Sequence, residues 1–190
     1  KIINVDLLLK INFLKMLKYK KIKGNLIHKT AVINWTDLVI GKNNVIGPYV
    51  VIGNKPQWKN KKKGGKIYIG NNNTINEYTN IHLPTSLRRK TFIGDNNYIM
   101  NSTTIDHDCY IESNVILSSN VILGGNVHIM KNSNLGIKTM VHQNQVIGSY
   151  SMIGLNSVID RAHKVKPGLT FYGIPAKCIA KNTVGLERNK

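Results

Sequence analysis

The sequence predicts an all-β fold, a parallel β-helix in which three short strands make each turn of a triangular prism. The first observation behind this prediction is a period of six in the aliphatic side chains. The following residues, twelve in a row at this spacing, are all aliphatic: Ile93, Ile99, Ile105, Ile111, Leu117, Leu123, Ile129, Leu135, Val141, Ile147, Ile153 and Ile159. A period of six fits neither an α-helix nor a simple alternating strand, and it is typical of hexapeptide-repeat β-helices.

A second row of compact side chains lies two residues before most of these aliphatic positions. It comprises Thr103, Cys109, Val115, Val121, Val127, Ser133, Thr139, Ser151 and Ser157. Positions two apart on a strand share a face, so both rows are predicted to point into the same narrow interior. The turns give the third observation. Glycine often follows the aliphatic residue, where we expect unusual backbone angles, and Asn-rich turns such as 41–44 and 70–73 suit left-handed backbone.

The first 26 residues are predicted to form a basic amphipathic segment, helical from Val5 to about Lys20. Lysines interrupt its apolar stretch, which argues against a signal peptide. Capping of the open end of the coil stack is the simplest role for this segment. Contact of residues 5–20 with a membrane surface and docking of a partner remain alternatives.

The β-helix is predicted to span residues 27–166, with two excursions where the six-residue period breaks. These excursions are a basic loop at 54–66 and a second loop at 82–91. Loops that leave a rigid scaffold are frequent places for binding residues. Residues 167–190 lose the period and are predicted to form an irregular, truncated C-terminal tail.

Composition narrows the partners and the compartment. The formal net charge is +18, but no nucleic-acid-binding motif or aromatic stacking platform accompanies it, so nucleic acid is not the favoured partner. A basic surface also attracts acidic ligands such as nucleotide sugars, coenzyme A phosphates or an acidic acyl carrier protein. The two cysteines do not suggest a disulfide framework, which makes a reduced, cytoplasmic setting the default expectation.

Candidate catalytic residues follow from the coil geometry. Residues 18 apart should stack about one inter-strand spacing apart, roughly 4.8 Å, which places His107, Gly125 and Gln143 on one line along the prism. A histidine beside an aspartate, here Asp108, is the usual make-up of a general base with an orienting carboxylate. The amide of Gly125 could face a developing oxyanion. Spacing alone leaves open the alternative that these are solvated turn residues.

An ordered series of motifs resembles the UDP-N-acetylglucosamine acyltransferases of lipid A biosynthesis. The matching stretches are 80–82, 93–97, 105–109, 121–127, 136–143 and 173–186, within an overall resemblance over residues 27–190. The resemblance implies a left-handed parallel β-helix and a homotrimer with active sites between subunits. It also implies transfer of an acyl group from acyl carrier protein to the sugar 3-hydroxyl, with no bound cofactor and no metal.

The same resemblance assigns roles to individual residues. It makes His107 the catalytic base, Asp108 its partner and Gly125 the source of the oxyanion-binding amide. The implied substrate-binding residues are His82 in the sugar cleft, Asn126 in the cleft, His142 and Gln143 along the acyl-pantetheine arm, Leu155 at the end of the acyl chain, and Asn182 and Arg188 at the nucleotide.

Several departures from the family pattern leave the substrates open. The family usually has a histidine where Asn126 stands, another at Thr104, and an acidic residue near Trp58. A bulky Leu155 implies a shorter acyl group than glycine would allow, and the helical domain that normally follows Leu186 is almost wholly missing. These departures leave an alternative, an N-acetyltransferase that uses acetyl-CoA and a nucleotide-linked amino sugar, because an amine needs less help to attack.

The sequence leaves two further classes of function, each with an observation against it. A zinc enzyme of the carbonic-anhydrase type needs three converging histidines, and its usual pair five residues apart is absent. An inactive scaffold would fit the short tail and Asn126, but not the intact His107–Asp108 pair.

Overall fold

The chain winds as a left-handed parallel β-helix, which confirms the predicted fold. A computed structural model describes residues 18–59, 64–162 and 164–188. Short strands stack in register into three sheets, which form the three faces of the prism and which we name faces A, B and C in the order the chain visits them. From β2 to β18, each strand pairs with the strand three positions later, so one turn of the coil uses one strand from each face.

The strands are numbered in chain order. Face A contains β1 (Tyr19–Ile22), β2 (Asn25–His28), β5 (Val45–Ile46), β8 (Thr74–Ile75), β11 (Tyr98–Ile99), β14 (Ile116–Leu117), β17 (Asn134–Leu135), β20 (Met152–Ile153), β22 (Leu169–Gly173) and β23 (Ala176–Lys181). Face B contains β3 (Val32–Ile33), β6 (Val51–Asn54), β9 (Asn80–His82), β12 (Thr104–Ile105), β15 (Ile122–Leu123), β18 (Met140–Val141) and β21 (Val158–Ile159). Face C contains β4 (Leu38–Ile40), β7 (Lys66–Ile69), β10 (Lys90–Ile93), β13 (Tyr110–Ile111), β16 (His128–Ile129) and β19 (Val146–Ile147).

The two predicted rows fill the interior of the prism. All twelve aliphatic residues from Ile93 to Ile159 are buried, and so are the compact residues from Thr103 to Ser157 that precede them. In each hexad, the residue between the compact and the aliphatic position points to the outside of the prism. Hydrophobic burial along one continuous column is therefore the main force that holds the coils together.

The corners of the prism confirm the role of asparagine and correct the role of glycine. From Asn96 to Asn156, every sixth residue has a left-handed φ, for example 62° at Asn120, and most of these residues are asparagine. The glycines come two residues earlier, and of those predicted at corners only Gly53 has a left-handed φ in the described chain. At Gly124, a Cβ would lie 2.8 Å from the amide nitrogen of Gln143. Close approach between coils, not an unusual φ, accounts for these glycines.

Both ends of the described chain are more regular than predicted. Tyr19 and Lys20, the last residues of the predicted N-terminal helix, belong to strand β1, which pairs antiparallel with β2. The rest of that prediction falls on residues 1–17, outside the described part. The tail is not irregular: β22 and β23 form an antiparallel hairpin, followed by a helix, α1 (Thr183–Arg188). Paired backbone groups explain both differences, since they satisfy the ends of face A. No described helix is long and apolar enough to cross a lipid bilayer.

The two predicted excursions leave the same corner of the prism. One connects β6 to β7 and the other connects β9 to β10, so both run from face B to face C. In the next coil, the direct turn from β12 to β13 takes their place, and this turn contains His107. The candidate site therefore lies at the point where two loops meet a rigid corner.

Candidate active site

The turn between β12 and β13 positions the candidate catalytic pair. Ile105 and Cys109 point inward and are fully buried, so the residues between them form the corner. Ile105 pairs with Leu123, and Leu123 pairs with Val141. This register confirms the predicted column in which His107, Gly125 and Gln143 stand one coil apart.

Asp108 orients the imidazole of His107. Its Oδ2 lies 2.9 Å from Nδ1 of His107, and both side chains are almost fully buried. The carboxylate also accepts hydrogen bonds from the amide of Thr85 at 3.1 Å and from its hydroxyl at 2.8 Å. These donors fix the carboxylate beside Nδ1 of His107, and in the tautomer that carries its proton on Nδ1 the lone pair of Nε2 is free to serve as a base.

The ring of His107 lies directly on Gly125. A Cβ added to Gly125 would overlap the imidazole, so only glycine fits beneath it. The carbonyl of Gly125 accepts a hydrogen bond from Asn144, whereas its amide donates to no backbone acceptor among the described residues. The imidazole thus lies beside a glycine whose amide N–H has no backbone acceptor in the described chain, and such an N–H is the kind of donor that can stabilise an oxyanion.

Trp58 contacts the imidazole of His107. The two ring centroids are 5.3 Å apart with an interplanar angle of 47°, and His107 is only 5% exposed. Trp58 belongs to the excursion between β6 and β7, which does not follow the six-residue period. The sequence marks Trp58 only as the position near which the family has an acidic residue, and this contact was not predicted. The one feature of the sequence that could have indicated this contact is a single tryptophan in a lysine-rich loop.

Cys109 is adjacent to the candidate catalytic pair, but its environment does not favour a nucleophilic thiol. Its thiol is fully buried and donates a hydrogen bond to the carbonyl of Gly124 at 3.3 Å. Burial raises the pKa of the Cys109 thiol to about 12, with smaller contributions from nearby groups. A thiol in this state supplies almost no thiolate at neutral pH. The geometry therefore favours direct attack by the acceptor over a covalent intermediate on Cys109.

A buried His82 and a partly buried Asp106 form a second pair beside the first. Nδ1 of His82 lies 3.1 Å from Oδ1 of Asp106, and the same oxygen accepts the amide of His107 at 2.7 Å. His82, predicted to face the sugar cleft, is 1% exposed in this chain. Burial alone would raise the pKa of Asp106, but the hydrogen bonds from His82 and His107, with the charge on these histidines, outweigh it and hold the pKa below its ordinary value.

This lowered pKa predicts how Asp106 contributes to stability. A carboxyl group with a lowered folded-state pKa stabilises the fold above the ordinary pKa of aspartate, about 4, and loses that contribution as pH falls further. Wild type should therefore be more stable than Asp106→Asn at pH 7, and the difference should shrink on acidification to pH 3. Urea unfolding of both proteins across this range measures it. Parallel stability curves would show that the charge of Asp106 has no such role.

A groove on the outside of face B brings two more predicted residues to the site. It has a volume of about 400 Å³ and is lined by Gly125, His142 and Gln143, with Ile122 and Met140 on its apolar side. Nδ1 of His142 lies 3.0 Å from the carbonyl oxygen of Gln143. The groove runs beside the column that carries His107, so it is open to an elongated, partly apolar ligand.

Asn126 stands one coil above Asp108 and is tied to the same network. Its amide donates to Asn144 at 2.8 Å, and its Oδ1 lies 3.5 Å from Nη1 of Arg89. The same Nη1 is 3.5 Å from Oδ2 of Asp108. Arg89 was not predicted at the site, because residues of an excursion cannot be placed by the six-residue period.

Of the three remaining predicted residues, two are not brought to His107 within one chain. Leu155 follows β20 at a different corner, at the end of face A, and is 60% exposed. Asn182 caps helix α1: its Oδ1 accepts the amide of Gly185 at 3.1 Å, and its Nδ2 donates to the carbonyl of Tyr150 at 2.8 Å. The side chain of Arg188 lies outside the described part.

No cluster of three or more His, Cys, Asp or Glu side chains that could hold a metal ion occurs in the described residues.

Comparison with known proteins gives a consistent result. A family model described as bacterial transferase hexapeptide (six repeats) matches residues 90–125. The chain is 39% identical over 151 residues to an acyl-[acyl-carrier-protein]–UDP-N-acetylglucosamine O-acyltransferase of Burkholderia orbicola. This match covers 78% of the chain and 57% of the relative, so the chain spans little more than half the length of the curated relatives it matches.

Solved structures agree. LpxA of Bacteroides fragilis, a UDP-N-acetylglucosamine acyltransferase, superposes with a TM-score of 0.82 at 28% identity, over 87% of this chain and 64% of that one. LpxA of Acinetobacter baumannii superposes with a TM-score of 0.67 at 30% identity, over 88% of this chain and 76% of that one.

Proposed function

The chain belongs to the LpxA family of UDP-N-acetylglucosamine O-acyltransferases, and from this membership we propose that it transfers an acyl group from acyl carrier protein to a hydroxyl of UDP-N-acetylglucosamine. The observation that carries the proposal is the corner itself. There, Asp108 orients His107 at 2.9 Å, and the imidazole lies against Gly125. The names of the relatives favour ester formation over the N-acetyl transfer that the sequence left as an alternative.

The proposed reaction is a direct transfer. Nε2 of His107 takes the proton of the sugar hydroxyl while the oxygen attacks the thioester carbonyl carbon. The amide of Gly125 binds the resulting oxyanion. The carbon–sulfur bond then breaks, and the thiolate leaves with the proton that His107 had taken. The products are the acylated sugar and the free carrier thiol, and His107 returns to its starting state.

The substrate-binding assignments are part of the proposal. His142 and Gln143 would contact the acyl-pantetheine arm in the face B groove, with Asn126 beside it. Asn182 and Arg188 would lie near the nucleotide, and His82 would act on the sugar cleft through Asp106, to which it is bonded. The cytoplasm is the proposed compartment, on the low cysteine content of the chain.

A homotrimer with sites between subunits is the proposed assembly. Ile122 and Met140, on the outside of face B, are 46% and 41% exposed. A second copy packed against this face would cover these side chains and bring a different corner of its own prism towards His107. Light scattering should then give three times the mass of one chain, and a monomeric mass would refute the shared site.

The acyl-chain length is proposed to be limited by Leu155. Replacing it with glycine should raise the rate for long-chain donors relative to short-chain donors by about tenfold or more, because a pocket wall discriminates strongly between chains that differ by a few methylenes. The measurement is a series of acyl carrier thioesters of increasing length, with the shortest donor as the internal control. An unchanged length preference would remove Leu155 from the acyl site.

The experiment that tests the function mixes purified protein with acyl carrier thioesters or acetyl-CoA, and with UDP-N-acetylglucosamine or a nucleotide-linked amino sugar. Mass spectrometry should detect an acyl ester of UDP-N-acetylglucosamine that depends on the carrier thioester. Product found only with acetyl-CoA and the amino sugar would replace the proposal with N-acetyl transfer.

A further inference from the structure

A second groove lies at the start of face C and is strongly basic. It has a volume of about 440 Å³ and is lined by Lys66, Tyr68, Arg88, Arg89 and Lys90, together with Asp37. We name it the basic groove. Its residues come from the first positions of β7 and β10 and from the excursion that precedes β10. This is the corner that holds His107 in the next coil.

Positive charge is concentrated in the basic groove, and this lowers the stability of the protein when no ligand is bound. Lys66 and Lys90 are register partners on neighbouring strands, an arrangement of like charges that destabilises a sheet. Asp37 supplies a carboxylate, but this carboxylate also accepts a hydrogen bond from Asn34 at 2.9 Å. Four cations against one carboxylate in the lining leave an excess that an anionic ligand would neutralise.

The ammonium group of Lys90 is held in place by aromatic rings. Its Nζ lies 5.0 Å from the ring centroid of Phe92 and 5.4 Å from that of Tyr110, which stack on each other. It also lies 6.0 Å from the ring of Tyr68. Cation–π contacts of this kind keep a lysine in one position without neutralising its charge. The groove is therefore partly preorganised for an anion.

Arg89 connects the basic groove to the catalytic pair. Its side chain is about half exposed and lies 3.5 Å from the carboxylate of Asp108, and Nη1 also reaches Asn126. Two partners position the guanidinium, which has five N–H donors in total and so retains some for a ligand. An anion in the groove would thus lie one side chain away from the His107–Asp108 pair.

We propose that the basic groove binds a phosphate ester of one of the reacting substrates, with Arg88 and Arg89 as fork-shaped donors and Lys66 and Lys90 as point charges. The inference rests on the proposed function, in which both substrates carry such a group. One is the diphosphate of the nucleotide sugar, and the other is the phosphodiester of the pantetheine arm. Arginine forks match phosphate oxygens, and charge-assisted hydrogen bonds to them are strong.

Calorimetric titration of the whole chain tests this proposal without any turnover. The probes are inorganic pyrophosphate, uridine diphosphate and coenzyme A. The variants are Lys66→Ala and Arg88→Ala, whose side chains are exposed, and the matched control is Lys177→Ala, an exposed lysine on β23 of face A. Each groove variant should bind its probe about tenfold more weakly than wild type, whereas the control should bind normally, with unchanged melting temperatures throughout.

The pattern of losses identifies the source of the phosphate. Weaker binding of uridine diphosphate and pyrophosphate, with coenzyme A unchanged, assigns the groove to the nucleotide sugar. Weaker binding of coenzyme A alone assigns it to the pantetheine arm. The proposal is overturned if wild type binds none of the probes, or if both groove variants bind them as wild type does. A wild type that binds phosphate through the groove but transfers no acyl group would refute the proposed function instead.

Discussion

Replacing His107 with asparagine should lower the rate of acyl transfer by a factor of about 10² to 10⁴, the usual contribution of a positioned general base. Asparagine can still donate a hydrogen bond to Asp108, whose carboxylate also keeps its bonds to Thr85. It offers no basic nitrogen to the acceptor hydroxyl. The variant therefore separates loss of the base from loss of the local structure. Initial rates measured at saturating concentrations of both substrates give the comparison.

The control for this variant is its folding. His107 is almost fully buried and bonded to Asp108, so its replacement should lower the free energy of unfolding by about 1 to 3 kcal/mol without abolishing folding. His107→Ala should match His107→Asn in rate, since neither side chain carries a base. Near-normal turnover in either variant would reject His107 as the base, whereas a collapsed melting transition would point to a structural role.

Gly125→Ala should have the second largest effect, a loss of about 10² to 10³ in rate. The added Cβ would overlap the imidazole, so the ring must move away from its position beside Asp108, and the amide of residue 125 would no longer face the same point. Removal of one oxyanion donor alone has an effect of this size in other enzymes. The measurement is the rate of transfer per folded molecule, with His107→Asn assayed in parallel.

Gly94→Ala is the matched control for this substitution. A Cβ at Gly94 would lie 2.7 Å from Oγ of Ser113, in the next coil, but at a different corner of the prism from the imidazole. It should lower stability through the same kind of contact between coils while leaving the rate per folded molecule unchanged. Equal losses of rate in the two variants would mean that Gly125 acts only through the packing of the coils.

The regular part of the fold was predictable because one physical rule repeats in it. Each hexad places one aliphatic residue and one compact residue inside the prism, so the period locates both rows and the stacking of His107, Gly125 and Gln143. The same rule predicts where the turns lie, but it does not explain why asparagine or glycine occupies a given turn position. Asparagine such as Asn120 supplies the left-handed φ, while glycine such as Gly124 gives room for the next coil.

The partners of the catalytic pair were not predictable, because they come from segments without a period. Thr85 and Arg89 reach Asp108 from one excursion, and Trp58 reaches His107 from the other. A period fixes residues that lie on the prism, but a loop that leaves the prism returns by a path that depends on its own contacts. The strands at the ends of face A were not predicted for a similar reason. Antiparallel pairing of β1 and β23 with their neighbours satisfies backbone hydrogen bonds and does not require the six-residue period.

We propose that the corner formed by His107, Asp108 and Gly125 carries out a direct acyl transfer. A single-turnover experiment with a labelled acyl carrier thioester, UDP-N-acetylglucosamine and excess protein tests this claim most directly. Wild type should move the label straight to the sugar with no labelled protein at any time, and His107→Asn should leave the label on the carrier. Rapid labelling of the sugar by the asparagine variant, or a labelled protein species that precedes the product, would contradict the account.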